Sequence, residues 1–337
     1  MEQAKAVAIA KLADGRQFLV NENVSILDAA AASGIKLPYS CRTGRCSTCK
    51  AKVLNGSTYP LLDEVGLTST ELNEGWVLTC SRSIQSDVEL DVEDLGNVAT
   101  PIPKTLPCRI SFLEHIAIDV IKVVLRIPPT ANFEFIPGQY IDVIGVGGVR
   151  RSYSLANSHC AEKTLELHIR KVDGGAMSEY WFNKAKVDDL LRINGPLGTF
   201  WLRDTANIDL FFLATGTGIA PVKSMLESIS HLPVEKKPSS VTVLWGGRQP
   251  GDFYLDVSSI ATGYNYIPVQ SRAHKNWAGE TGYVQHVMLN LVSDWKNVFV
   301  YACGSDAMIH SARKILTEAG LPAKQFYSDA FVCSASN

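Results

Sequence analysis

Long apolar runs are missing from this sequence. Its most apolar stretches, such as Leu210 to Ala214, fall far short of the ~20 residues that a bilayer-spanning helix needs. They read as buried strands, and no membrane partner is expected. An excess of charge is missing too: 32 Lys and Arg against 34 Asp and Glu leave a formal net charge of -2. That balance argues against nucleic acid or an anionic membrane surface as a partner. The opening Met1-Glu2-Gln3-Ala4-Lys5 has no apolar run followed by a small-residue cleavage site, so no signal peptide is expected. Histidine is scarce, with 7 scattered residues, and no serine–histidine–aspartate set suggests itself.

Cysteine is present in a telling pattern. The eight residues Cys41, Cys46, Cys49, Cys80, Cys108, Cys160, Cys303 and Cys333 do not form the dense framework of a secreted disulfide scaffold. A reducing cytoplasm is the expected compartment. Four of them follow C-x4-C-x2-C and then, after 30 residues, a last cysteine. This is the plant-type ferredoxin spacing for a 2Fe–2S cluster, with Cys41, Cys46, Cys49 and Cys80 as metal ligands. Zinc would more naturally bring paired C-x2-C knuckles, and only one such pair is present. The loop between the ligands holds Arg42, Thr43, Gly44, Arg45, Ser47 and Thr48. With no large apolar side chain, it can wrap closely and aim backbone N–H groups at cluster sulfurs. Arg42 and Arg45 are candidate docking charges on its rim.

At 337 residues the chain exceeds one ordinary core, and two or three domains are expected. Val7 to Leu12 and Gln17 to Val20, joined through Asp14-Gly15, read as a hairpin. Ser25 and Asp28 open a helix that Gly34 closes. Val88 to Val92 alternates as a strand, and the Pro101 and Pro103 region reads as a linker. The boundaries expected are 1–95 for the cluster domain, 96–104 for the linker, 105–203 for a second domain and 204–337 for a third.

The second domain shows short β-like runs at Cys108 to Leu113, Val120 to Ile127, Tyr140 to Ile144, Leu165 to Lys171 and Leu190 to Asn194. Such spacing predicts an antiparallel barrel. Gly174 to Ser178 opens a helix whose start offers free N–H groups to a pyrophosphate. Arg151 is placed to add a charge-assisted contact and Tyr153 to stack on a flat ring. Gly195-Pro196-Leu197-Gly198 reads as a turn. In the third domain, the Leu210 to Ala214 run leads into Thr215-Gly216-Thr217-Gly218-Ile219-Ala220-Pro221 and a helix. Strand, glycine-rich turn, helix is the phosphate-binding unit of doubly wound α/β folds, although Pro221 stands where a third glycine would complete the fingerprint. Strands are expected at Ser240 to Trp245, Tyr264 to Gln270, Val298 to Ala302 and Phe326 to Val332, alternating with helices. Gly216, Gly246-Gly247-Arg248, Ser271-Arg272 and Cys303-Gly304 would then all fall at the carboxyl edge of one parallel sheet.

Taken together, the R-x-Y-S of Arg151 to Ser154, the GTGIAP turn and Cys303-Gly304 resemble the ferredoxin–NADP reductase superfamily. With the cysteine pattern in front, the chain is similar to the three-domain reductases of multicomponent enzymes. Lys104 to Cys108, Gly138 to Asp142, Arg150 to Ser154, Tyr301 to Ser305 and Ser328 to Val332 resemble the CDP-6-deoxy-Δ3,4-glucoseen reductases of 3,6-dideoxyhexose biosynthesis. Reductase components of aromatic-ring oxygenases share many of these stretches.

The resemblance implies a β-grasp ferredoxin (α+β) domain, an antiparallel β-barrel FAD domain and a doubly wound α/β NAD-binding domain. It implies that Arg151 binds the FAD pyrophosphate, Tyr153 stacks on the isoalloxazine and Ser154 sits near flavin N5. His168, Ile169 and Arg170 would line the flavin, and Gly175, Ala176, Met177 and Ser178 would cradle phosphate. Thr215, Gly216, Thr217 and Gly218 would hold the dinucleotide, with Cys303 and Gly304 beside the nicotinamide. Asp329 would lie close to the hydride path and Phe331 near the flavin. Arg248, Ser271 and Arg272 fall where NADPH-using relatives place phosphate ligands, whereas the dideoxyhexose family points to NADH, which is the expectation here. Nicotinamide gives two electrons together and a 2Fe–2S centre takes one, so flavin must stand between them. The partner implied is an electron acceptor: a pyridoxamine-phosphate, iron–sulfur dehydrase, or alternatively an oxygenase component. A redox-sensing module, the reading from another class, has no need of a hydride donor.

Overall fold

The computed structural model describes residues 7–96, 98–260, 263–273 and 275–331. Asn97, His274, Val332 and Cys333 lie outside those residues. The chain divides into two compact units, Met1–Ala99 and Thr100–Asn337.

In the first unit, β1 (Val7–Leu12) and β2 (Gln17–Asn21) form the expected antiparallel hairpin. Helix α1 (Ile26–Ala32) begins at Ser25, whose hydroxyl accepts from the Asp28 N–H at 3.0 Å, satisfying one of the unpaired donors of the first turn. Then come β3 (Lys50–Asn55), β4 (Thr58–Pro60), α2 (Ser69–Asn73), β5 (Trp76–Leu78), β6 (Arg82–Ile84) and β7 (Val88–Asp91). The main sheet runs β2-β1-β7-β3-β5, with β1 and β7 parallel. Leu12, Phe18 and Leu90 from the sheet meet Ile26 and Ala30 of α1 in one buried cluster. One helix packed on a mixed sheet of this order is the β-grasp arrangement.

The second unit opens with β8 (Lys104–Ala117), β9 (Val120–Arg126), β10 (Tyr140–Ile144), β11 (Arg150–Ser154), β12 (Thr164–Arg170), α3 (Ala176–Asn183) and β13 (Leu190–Leu197). These strands pair antiparallel in the order β11-β10-β13-β8-β9-β12. Just past β11, the Ala156 N–H donates to the Glu166 carbonyl of β12 at 2.8 Å, drawing the two outer strands into a barrel. Ile110, Val123, Leu125, Ile141, Val143, Leu167, Ile193 and Trp181 fill its interior.

Two sequence expectations need correction here. Strand β8 starts at Lys104, inside the segment read as linker, because Lys104 pairs with Gly195. Gly195 to Leu197 is strand rather than turn: a side chain at Gly195 would fall 2.7 Å from Ile141 Cγ2. Glycine serves close packing there, not a reversal.

The remainder is six parallel strands: β14 (Asp209–Thr215), β15 (Ser240–Gly247), β16 (Asn265–Gln270), β17 (Glu280–Thr281), β18 (Val298–Ser305) and β19 (Phe326–Phe331). Their order is β17-β16-β15-β14-β18-β19. Helix α4 (Ile219–Ser230) packs with Trp245 and Tyr301 on one face. Helix α5 (Val284–Leu291) approaches the other, where a side chain at Gly246 would meet Val284, and packs beside α6 (Asp306–Glu318). The chain builds outward from β14 through β17, then crosses back to β18. The switch point therefore lies between the ends of β14 and β18, where doubly wound sheets bind ligands. No helix among the described residues is long and apolar enough to cross a membrane.

Candidate functional site

The cysteine loop gathers its four thiols in two pairs. Cys46, Cys49 and Cys80 are buried and Cys41 is half-buried. A hydrogen bond with Cys46 lowers the Cys41 thiol to about 5, and the same bond together with burial raises Cys46. Cys80 is lowered by its hydrogen bond with Cys49, which is raised in turn. Among the described residues no three His, Cys, Asp or Glu side chains converge as one metal ion would require. Two pairs, rather than one foursome, suit a dinuclear cluster in which each iron takes two thiolates, and do not suit a single zinc. The donor set fits the 2Fe–2S group.

Backbone geometry supports the same fit. The Cys41 N–H donates to Cys46 Sγ and the Thr43 N–H to Cys41 Sγ, each at 3.4 Å. Gly44 has φ +72, and a side chain there would collide with the Asp63 carbonyl. The Gly66 N–H donates to the Gly44 carbonyl at 2.9 Å, and the Ser47 hydroxyl donates to Gly66. Residues 63–66 therefore strap the loop from outside. Arg42 is engaged within the unit, paired with Asp28 and lying over the Tyr39 ring.

On the barrel, Asp142 of β10 accepts from Ser152 Oγ at 2.6 Å and from the Arg150 guanidinium at 3.4 Å. Those contacts fix the even-numbered side chains of β11, buried Ser154 among them, on one face. Alternation turns Arg151 and Tyr153 to the other. Burial pushes Tyr153 up to about 12, and its hydroxyl accepts from Trp181 Nε1–H at 3.0 Å. Trp181 belongs to α3, so the strand is tied to that helix. Helix α3 begins at Gly175 with no side-chain cap, and the space where Gly174 would carry a side chain is open. Ser178 Oγ holds the preceding turn by accepting from the Val172 N–H at 2.9 Å, while buried Met177 packs near Gly145 between β10 and β11. An uncapped helix start beside open space leaves N–H donors of Ala176 and its neighbours for a pyrophosphate. These residues fit FAD.

At the switch point two backbones come unusually close. A side chain at Gly218 would lie 2.6 Å from the Cys303 carbonyl carbon and 2.9 Å from Gly304 Cα. Gly304, at φ +133, would likewise run into Thr215. The Ser305 N–H donates to Thr215 Oγ1 at 3.0 Å and Trp245 Nε1–H donates to the Gly216 carbonyl at 3.0 Å. Thr217 is buried within this turn. Pro221 falls in the first turn of α4, where an N–H would be unpaired in any case; the missing third glycine is no obstacle. A cradle with no room for side chains, opening at an uncapped helix start, fits a dinucleotide. Cys303 is fully buried, and burial, then the charge of Asp329, push its thiol well above the ordinary value. Asp329 and Phe331 stand opposite Cys303 and Ser305 in register. Ser271 donates its N–H and hydroxyl to the Gly247 carbonyl at 2.9 and 3.1 Å, with the Arg248 and Arg272 side chains exposed alongside.

The His168-Ile169-Arg170 segment divides its roles. Ile169 packs in the barrel core. Arg170 donates to Asp119 at 2.7 Å, faces Asp252 at 3.6 Å and lies against Gly216. His168 sits between Glu166 at 2.9 Å and the Tyr254 hydroxyl at 3.2 Å. Burial lowers His168, more than Glu166 raises it. A neutral ring that donates to Glu166 accepts from Tyr254. Burial alone would raise Glu166, but the His168 hydrogen bond, Lys223 and Lys122 hold it at about 2.

A histidine with a lowered folded-state value contributes stability that is complete above its ordinary 6.5 and fades as pH falls through the folded value. Glu166 behaves alike only between 4.5 and about 2. Thermal melts from pH 7.5 to 5 should therefore show an acid loss that His168→Asn flattens. A variant with the full acid slope would locate the titrating group elsewhere.

Sequence reading missed Lys122, Lys223 and Glu227, which surround Glu166 and each other at 2.5–3.3 Å. Their positions in the sequence carry no motif.

Comparison with known proteins follows the same division. Residues 10–85 match the 2Fe-2S iron-sulfur cluster binding domain. Residues 107–201 match the oxidoreductase FAD-binding domain and residues 212–314 the oxidoreductase NAD-binding domain. The chain is 40% identical over 321 residues to the CDP-6-deoxy-L-threo-D-glycero-4-hexulose-3-dehydrase reductase of Yersinia pestis, covering 94% of this chain and 96% of that one. It is 37% identical over 322 residues to protein RfbI of Salmonella typhimurium, covering 94% of each. Among solved structures, the Amycolatopsis cytochrome P450 reductase GcoB superposes with TM-score 0.71 at 26% identity, over 96% of this chain and 98% of that one. Three domain matches in order along the chain, with 40% identity over nearly the whole length of a named reductase, show that the chain belongs to the family of NAD(P)H-dependent iron–sulfur flavoprotein oxidoreductases.

Proposed function

We propose that this protein takes electrons from NADH and delivers them singly, through its 2Fe–2S domain, to a dehydrase acting on a CDP-linked 4-keto-6-deoxyhexose. The observation that carries this reading is the 40% identity, spread over nearly all of both chains, with a reductase named for such a dehydrase. In this reading Arg151, Tyr153, Ser154 and the start of α3 at Gly175 to Ser178 hold the flavin. Thr215 to Gly218, with Cys303 and Gly304, receive the nicotinamide, while Asp329 and Phe331 complete that wall. Cys41, Cys46, Cys49 and Cys80 ligate the cluster. FAD, when bound, supplies a carrier that accepts two electrons as hydride and releases them one at a time. The chain's own groups bind, orient and exclude water. Full burial of Cys303 keeps its thiol uncharged, so it adds no stray ion beside the redox groups.

The dehydrase is expected to contribute pyridoxamine phosphate and its own iron–sulfur centre, so this chain need not touch the sugar. A coupled reaction containing purified reductase, the dehydrase, CDP-4-keto-6-deoxyglucose and NADH should yield a 3-deoxygenated product. NADPH should support it less well, despite Arg248 and Arg272 at the sheet edge. A second reading, reduction of an oxygenase component, draws on the full-length likeness to a cytochrome P450 reductase. No sugar product together with efficient reduction of an oxygenase would decide for it.

A further inference from the structure

We propose that Lys223 of α4 is a positioning residue: it fastens the segment that follows the flavin strand to the helix that follows the dinucleotide turn, and so sets the separation across which hydride moves. The inference rests on the functional reading above. Its basis is one run of backbone. Lys223 Nζ donates to the Ala156 carbonyl at 3.0 Å, Ser224 Oγ donates to the Asn157 carbonyl at 2.8 Å, and Glu227 Oε2 accepts from the Ser158 N–H at 2.9 Å. Three neighbouring side chains of α4 thus grip three consecutive residues of the barrel. Ala156 comes two residues after Ser154, and Lys223 five after Gly218.

The grip is electrically balanced. Lys223 Nζ also meets Glu166 Oε1 at 3.3 Å and Glu227 Oε1 at 2.5 Å, and Lys122 meets Glu166 Oε2 at 3.3 Å. Two ammonium groups therefore face two carboxylates, and His168 shares Glu166 Oε1 with Lys223. The side chains of Lys223 and Glu166 are only 14% and 16% exposed, so these charges see little screening, and removing one leaves its partners uncompensated. Without Lys223, Glu227 would lose the ammonium it pairs with and Glu166 would keep only Lys122 of its two lysines. The apolar clusters of the barrel and of the nucleotide sheet include none of these residues. Loss of the grip should loosen the boundary while each core persists.

The test uses the FAD- and cluster-loaded protein. In Lys223→Met, the limiting rate of flavin bleaching by NADH should fall by ~10–100-fold, the penalty of an ångström-scale misplacement, while the NADH dissociation constant changes little. Lys223→Arg, which keeps the charge, should recover most of the rate. With 4-deuterated NADH the primary isotope effect should rise toward its full value in the methionine variant. Independently of turnover, hydrogen exchange in the peptide spanning 155–158 should quicken, with β9 and β10 unchanged. Parental bleaching rates together with unchanged exchange would overturn the proposal. Should Lys223→Met not fold, Ser224→Ala and Glu227→Gln carry the same test, and parental behaviour in both would overturn it as well. A parental protein whose flavin NADH does not bleach would refute the functional reading instead, which separates the two failures.

Discussion

Replacing Cys46 with serine is expected to leave NADH-driven reduction of ferricyanide close to the parental rate and to cut transfer to cytochrome c by ~100-fold or more, since losing a ligand costs at least what losing its supporting contacts does. The split follows from the architecture. Residues 1–99 and 100–337 are separate compact units, and the first has its own core of Leu12, Ile26, Leu78 and Leu90. The barrel and the nucleotide sheet have cores of their own, so damage at Cys46 should leave their folding intact. Within the loop the effect should be severe. Cys46 is buried and hydrogen-bonded to Cys41, and serine's hydroxyl is neither as acidic nor as soft as a thiol. Visible absorbance should show flavin retained and the cluster bands lost. Equal loss of both activities would mean that electrons do not leave by way of the cluster.

How much of this could be read from residues alone depends on how local the determining interaction is. The cluster pattern was legible because all but one of its ligands fall within nine residues, Cys41 to Cys49. The Ser25 cap and the turn from Thr215 to Gly218 were legible for the same reason. The capping box of Thr68 and Glu71 was equally local, and its T-x-x-E spelling could have revealed α2. Short strands such as Trp76–Leu78 escaped because three residues carry no period. Gly195-Pro196 misled, since turn chemistry is the usual meaning of that pair, whereas contact with Ile141 from 54 positions away in sequence decides its conformation. The grip of Lys223 on Ala156 and Glu166 was beyond reach altogether: it joins residues 67 and 57 positions apart. Lysine and glutamate are, elsewhere, ordinary surface residues.

Gly218→Ala is the sharpest probe of the nucleotide cradle, because it separates close approach from backbone freedom. Gly218 has φ −59 and ψ −15, values that alanine adopts readily. Any loss must therefore come from the added methyl group, which would overlap the Cys303 carbonyl and press on Gly304 Cα. Both neighbours are backbone and cannot rotate aside. One of the two segments must move, and a shift approaching 1 Å is enough to cost ~100-fold in a transfer between juxtaposed groups. Flavin bleaching by NADH should fall by that order, while FAD content and dithionite-driven electron flow through the cluster stay intact. Stability should drop by ~1–3 kcal/mol, as for other overpacked sites. Gly251→Ala, where no atom lies within 4 Å of the added carbon, controls for glycine loss as such and should be silent. If Gly218→Ala bleaches at the parental rate, the turn after β14 and the Cys303-Gly304 backbone do not form a shared wall for the nicotinamide. The dinucleotide would then have to be sought along the Ser271 edge instead.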